Sequence, residues 1–288
     1  DVVLFAPDAP ARLAAGHELV IGSSSRRRAS FVPDFLQQVL PQPARVRLVE
    51  LRGNVDSRLR RVHEPRGSAR QLDGVVLAFA GVARLWADDA SRAQIAALLA
   101  VPRMVLPLSA CPSAPAQGAL AIECRREDTD TAACLAVLEH AATRRAVQVE
   151  RALLAQRGGG CQQRFGAVQT EIDGLGTLLY WREAHERDGT LQLDALQLRW
   201  TAQTALPAVA APVRAWDGTR AGRGPIEPIE SGVKLAAERL ADAAALFVAH
   251  QRALVDARRL RVAPSTRVWV PGIETWRALA RPGIWVEG

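Results

Sequence analysis

The chain has 288 residues, 49% of them apolar and 23% charged, which excludes a disordered or low-complexity protein and leaves room for two or three domains with cores of their own. Its formal charge is +7, and every one of the 37 cationic residues except Lys234 is arginine, whose rigid donor fork suits carboxylates and phosphates. No apolar run approaches the roughly 18 to 20 residues of a membrane span and nothing resembles a secretory leader, so the expected location is the cytoplasm.

Strand and helix signals alternate through the first half. "HELVIG" (17–22) predicts a strand, and a polar Ser/Arg turn leads into a helix through "RRASFVPDFLQQVL", delayed or kinked at Pro33. "VRLVEL" (46–51) is the next strand and "DSRLRRV" a short helix. "DGVVLAFAG" (73–81) is a nearly unbroken apolar strand, the pattern of a parallel sheet covered on both faces. Helices through "VARLW" and "SRAQIAALLA" and a short strand in "RMVLPL" complete an α/β domain over residues 16–110, with 1–15 left as a remnant or linker.

Residues 111–157 read as a crossover hinge, punctuated by Pro112, Pro115 and Gly118, followed by one long helix from about Asp130 to Gln156. A small αβ domain follows over 158–247. Its strands are "FGAVQTEI", "TLLYWREAH" and "LQLDALQL", with a hairpin turn at Asp188-Gly189, and its helix is "SGVKLAAERLADAAALFVAH". Residues 248–288 form a strand–helix C-terminal extension.

Three arginine-bearing turns follow predicted strands: "GSSSRRR" (22–28), "LRGNVDSRLRR" (51–61) with Arg52 and Arg58, and "AGVARL" with Arg84. In a parallel α/β domain, loops at the carboxyl ends of the strands open onto one crevice, so these arginines can converge on a substrate rich in carboxylates. Taken one at a time, each is as readily a solvated face. Few aromatics are interleaved to stack bases, which argues against nucleic acid, and neither a phosphate-binding Gly-Lys-Ser/Thr nor a GxGxxG is present. The five scattered histidines read as structural or exposed. Cysteine spacing offers no metal site, and Cys124 and Cys134 read as interior residues. Cys161, in "GGGCQQRFG" (158–166), is different: glycines at that density let the backbone approach a ligand, and the thiol is the stretch's one good nucleophile.

Five of these stretches, "GSSSRRRA", "VELRGNVDSRL", "DGVVLAFAGVARL", "SAPAQGALAIECR" and "GGGCQQRFGA", resemble in order and spacing the motifs of the porphobilinogen deaminase (hydroxymethylbilane synthase) family. The resemblance implies a hinged multidomain architecture, with a periplasmic-binding-protein-like lobe and a small αβ C-terminal domain. It implies a dipyrromethane cofactor joined to Cys161 by a thioether, with Ser23, Ser25, Arg27, Arg28, Arg52, Arg58 and Arg84 binding the acetates and propionates of cofactor and substrate. The implied partners are porphobilinogen and the growing linear pyrrole chain, four porphobilinogens being joined head to tail with loss of ammonia. The complete enzyme is then expected to be a monomer, using neither metal nor nucleic acid.

Ala116 stands where the family's "PAVGQGA" turn has glycine, and Arg26 where leucine is frequent. The family also has a first domain ahead of the matched region, carrying the aspartate expected to assist at the pyrrole nitrogens. No residue is assigned that role here, and Asp56 or Asp73 has no motif to support it. Either that domain lies outside these residues, or the chain is a noncatalytic or partner-dependent tetrapyrrole-binding relative. "LFVAHQRAL" and "VWVPGIETWRALARPGIWVEG" loosely resemble parts of uroporphyrinogen III synthase.

Overall fold

The computed structural model describes residues 1–41, 45–160, 162–202, 243–250, 262–263 and 265–288. A five-stranded sheet has the order β3-β2-β4-β1-β5, formed by β1 (Val2–Phe5), β2 (Leu19–Gly22), β3 (Val46–Val49), β4 (Gly74–Leu77) and β5 (Arg103–Val105). β2, β3 and β4 are mutually parallel as the apolar runs imply, and β1 lies antiparallel between β4 and β5. Residues 1–15 are therefore no linker, because "VVLF" is wholly buried as a central strand and α1 (Ala9–Ala14) follows it. Four residues are too few to display a strand period, which hides β1 from pattern reading.

α2 (Arg26–Val39) starts at Ser25, whose Oγ accepts the Arg28 amide, and runs through Pro33 without ending. It buries Phe31, Phe35 and Val39 at helical spacing against the sheet. α3 (Val55–Arg60) is capped by Asn54, and α4 (Phe79–Ala87) and α5 (Asp89–Leu99) follow β4. The strand predicted over 73–81 stops at Leu77, so Phe79 to Gly81 open α4 and Arg84 sits inside that helix.

The expected long helix is two: α6 (Thr129–Ala136) and α7 (Ala141–Ala155). His140 takes an extended conformation and accepts the Thr143 amide, a cap that starts a new helix without any glycine or proline. Beyond it, β6 (Phe165–Ile172), β7 (Gly176–Arg187), β8 (Thr190–Leu193) and β9 (Gln197–Ala202) form an antiparallel sheet. The β7–β8 turn is Asp188-Gly189, both left-handed at φ 52° and 72°.

The helix predicted over 231–250 lies mostly outside the described residues, and its described end, Ala245–Phe247, is strand β10. β10 pairs in parallel with β11 (Arg267–Trp269), which precedes α8 (Ile273–Ala280). This C-terminal unit docks on the first sheet. Val105 donates its amide to the Glu287 carbonyl at 2.7 Å, and Glu287 in turn donates to the Val268 carbonyl at 2.8 Å. Trp285 stands edge-on to Phe5 and Trp276 edge-on to Phe35, with ring centroids 4.9 and 5.4 Å apart. Among the described residues no helix is long and apolar enough to cross a membrane.

Candidate functional site

The turns after β2 and β3 and the helix after β4 leave the carboxyl ends of three adjacent parallel strands, so Ser23–Arg28, Arg52–Arg58 and Arg84 share one end of the sheet. Close backbone packing brings these segments together. A Cβ on Gly22 would meet Leu51 and Leu72 at 2.6 and 2.7 Å, and one on Gly118 would meet Ala80 at 3.1 Å, which sets the 116–118 turn against the start of α4.

Arg27 and Arg28 are the buried heart of this end, 3% and 8% exposed. Arg27 donates from Nη2 to Asp1 Oδ2 at 2.7 Å and from Nη1 to the Pro112 carbonyl at 2.7 Å. Arg28 donates from Nη2 to Asp1 Oδ1 at 2.8 Å and from Nη1 to the Val76 carbonyl at 3.2 Å. Gln117 adds its Nε2 amide to Asp1 Oδ1 at 2.8 Å. Burial lowers Arg27 to about 9 and Arg28 to about 10, and the Nε–H groups of both are buried without a partner among the described residues. Sequence reading missed Asp1, because its contacts with the two arginines span 26 and 27 residues and no local pattern encodes them.

Ser23 is buried and its Oγ accepts the Ser25 amide, while Ser25 caps α2, so both hydroxyls shape the turn that presents the arginines. Arg58 donates to the Gly53 carbonyl at 2.7 Å and is lowered by burial and then by repulsion from Arg28, which places the two in one electrostatic neighbourhood. Arg52, 83% exposed, reaches Glu50 at 2.8 Å, and the exposed Arg84 reaches the Ala80 carbonyl within its own helix. The structure thus unites Arg27 and Arg28, sets Arg58 beside them, and leaves Arg52 and Arg84 at the solvent edge. Asp73 sits before β4, at the opposite end of the sheet, where its carboxylate accepts from Val20, Arg12 and Arg66.

Cys161 lies outside the described residues. Gly158, Gly159 and Gly160 before it are all left-handed, at φ 84°, 69° and 81°, a run that residues with side chains rarely adopt. Gly159 and Gly160 line an open cavity of about 1260 Å³ that extends to Ala116 and Gly118 and is walled by Leu120, Ile122 and Val147. The turn and the arginine end are physically linked. Glu150 of α7, 5% exposed, accepts the Ala116 amide at 2.6 Å and the Gln169 amide of β6 at 2.7 Å. Ala116 itself is left-handed at φ 63°, a conformation costly for a residue with a Cβ, so its backbone must be held in place.

Cys111 is buried and its thiol is pushed up to about 12, whereas Cys124 and Cys134 are exposed rather than interior. Glu183, His185 and Asp194 cluster closely, yet Arg157 holds Glu183 at 2.6 Å and His185 pairs with Asp194, all near the surface.

The buried arginine pair with its unfilled donors and the neighbouring glycine turn free of side chains fit a small ligand bearing carboxylates. Residues 2–133 match the sequence model of a family described as "Porphobilinogen deaminase, dipyromethane cofactor binding domain". Curated proteins named porphobilinogen deaminase are similar over much of the chain. That of Mycobacteroides abscessus is 45% identical over 156 residues, 54% of this chain and 44% of its own length. That of Leifsonia xyli is 38% identical over 179 residues, 61% of this chain and 47% of its own. The chain thus spans about half the length of the curated relatives it matches. With these motifs and this ordered match, residues 2–133 are similar to the cofactor-binding domain of porphobilinogen deaminases.

Proposed function

We propose that this chain is the cofactor-holding part of a hydroxymethylbilane synthase, which condenses four porphobilinogens into a linear tetrapyrrole with release of ammonia. The observation that carries this reading is the buried Arg27–Arg28 pair, held at the carboxyl ends of parallel strands and tied through Ala116 and Glu150 to the helix leading to Cys161. When bound, the dipyrromethane supplies the pyrrole terminus from which the chain grows. Cys161 anchors it, and the soft thiolate suits bond formation to an electrophilic pyrrole carbon. Arg27 and Arg28 bind carboxylates by charge-assisted hydrogen bonds, Ser23 and Ser25 hold the turn, and Arg58, Arg52 and Arg84 extend the cationic surface toward solvent.

In this reading residues 16–110 form, with β1, a periplasmic-binding-protein-like lobe, and 111–157 are the hinge to the small domain bearing Cys161. The enzyme is a cytoplasmic monomer acting on small molecules, and its proton-transferring carboxylate comes from outside these residues. Intact-mass measurement with peptide mapping tests the proposal. The expected result is an increment of two linked pyrrole units on Cys161, lost in Cys161→Ala. An unmodified chain that also fails to acquire the adduct when incubated with porphobilinogen would instead make it a noncatalytic relative.

A further inference from the structure

We propose that Asp1 is a positioning residue whose carboxylate limits the buried Arg27–Arg28 pair to one further carboxylate, sending a pyrrole's second carboxylate to other arginines at that sheet end. This inference rests on the tetrapyrrole reading above. Two adjacent guanidinium groups would ordinarily make a cradle for a dicarboxylate, each gripping one acid group. Here one Nη2 of each is already committed to a different oxygen of a side chain with no exposed surface. Each Nη1 also spends one of its two N–H groups on a backbone carbonyl, that of Pro112 or Val76.

Charge gives the same count. Among the described residues Arg27 and Arg28 form ion pairs with Asp1 alone, so two positive charges face one negative and a single charge is left to neutralise. Leaving it uncompensated in a buried place is unfavourable, and a ligand carboxylate is the group that relieves it. Asp1 is not free to swing away. Its carbonyl accepts the Leu106 amide at 3.0 Å, its strand is clamped between β4 and β5, and Gln117 holds the carboxylate from a third side. Arg58, which shares the electrostatic neighbourhood of Arg28 and among the described residues donates only its Nε, to a backbone carbonyl, stands ready for the second acid group.

The test compares two pyrroles without an aminomethyl group, one bearing an acetate and a propionate and one bearing the propionate alone. Calorimetric titration at pH 8 gives the ratio of their affinities for the full chain. Asp1→Asn raises the pair's net charge from one to two and releases both Nη2 donors. The ratio favouring the dicarboxylate is then expected to rise about tenfold, and Asp1→Glu to restore the original ratio. An unchanged ratio in a folded Asp1→Asn protein overturns the assignment. If that variant does not fold, Arg28→Gln decides: it leaves a neutral Arg27–Asp1 pair and is expected to weaken the monocarboxylate at least tenfold, and undiminished binding overturns the proposal. Failure of the wild-type chain to bind either pyrrole would count against the tetrapyrrole reading itself.

Discussion

The two ends of the arginine surface are built on opposite principles. Arg27 and Arg28 are sealed in the protein with a partner at every Nη atom, whereas among the described residues Arg52 and Arg84 stand in solvent with a single local contact each. The buried pair has been stripped of water by folding, so its interactions act at full strength and in one geometry. The exposed pair is screened by solvent, suited to attracting anions rather than fixing them. Folding stability and ligand holding are thus joined at one end and separable at the other.

The largest effect follows from cutting that joint. Arg27→Ala leaves Asp1 paired with Arg28 but strips the Asp1 Oδ2 and Pro112 carbonyl of their buried donor, and is expected to destabilise the fold by about 1–3 kcal/mol for each acceptor left bare. Arg52→Ala or Arg84→Ala should stay within about 0.5 kcal/mol of wild type in the same urea titrations. Equal losses at both ends would erase the distinction.

Glu150→Ala comes next. It leaves the half-buried amides of Ala116 and Gln169 without their acceptor, at up to about 1–3 kcal/mol for each. Ala116→Gly works the other way, relieving a left-handed alanine by about 1 kcal/mol and raising the melting temperature. A third contrast is chemical. At pH 8 iodoacetamide should modify Cys124 and Cys134 readily and leave Cys111 untouched until the protein unfolds, since burial holds that thiol at about 12. The smallest effect lies at the amino end of the sheet. Asp8 is held below its ordinary value by Arg66, so its contribution is present near neutrality and fades as pH falls through the lowered value. Arg66→Gln should remove that part of the acid-unfolding profile.

The glycine turns, the cap at Ser25 and the parallel strands β2, β3 and β4 are legible in the sequence because their causes are local: a side chain that caps, a residue that permits a dihedral, an apolar run. β1 and Asp1 are not, since a four-residue strand acquires meaning only from neighbours at 74–77 and 103–105. The break at His140 is equally quiet, as the extended conformation of one ordinary residue divides what periodicity joins. Cys124 and Cys134 mislead for a related reason. Their stretch has the apolar spacing of an interior, yet Leu120, Ile122, Val137 and Leu138 are 58–83% exposed, so its pattern anticipates burial that these residues do not supply to one another. The arginines were identifiable as a set from their places after strands, but the division into sealed and open members depends on packing depth, which no spacing records.

The seating of residues 285–288 has a mechanical consequence. Asp1 and Glu287 offer their carbonyls to the consecutive amides of Leu106 and Val105, at the end of β5, so a load on that short segment reaches both of them at once. Pulling there would shear the edge of the sheet and loosen the strand that carries Asp1 while β2, β3 and β4 were still intact. The grip on the buried arginines would slacken before the fold itself gave way.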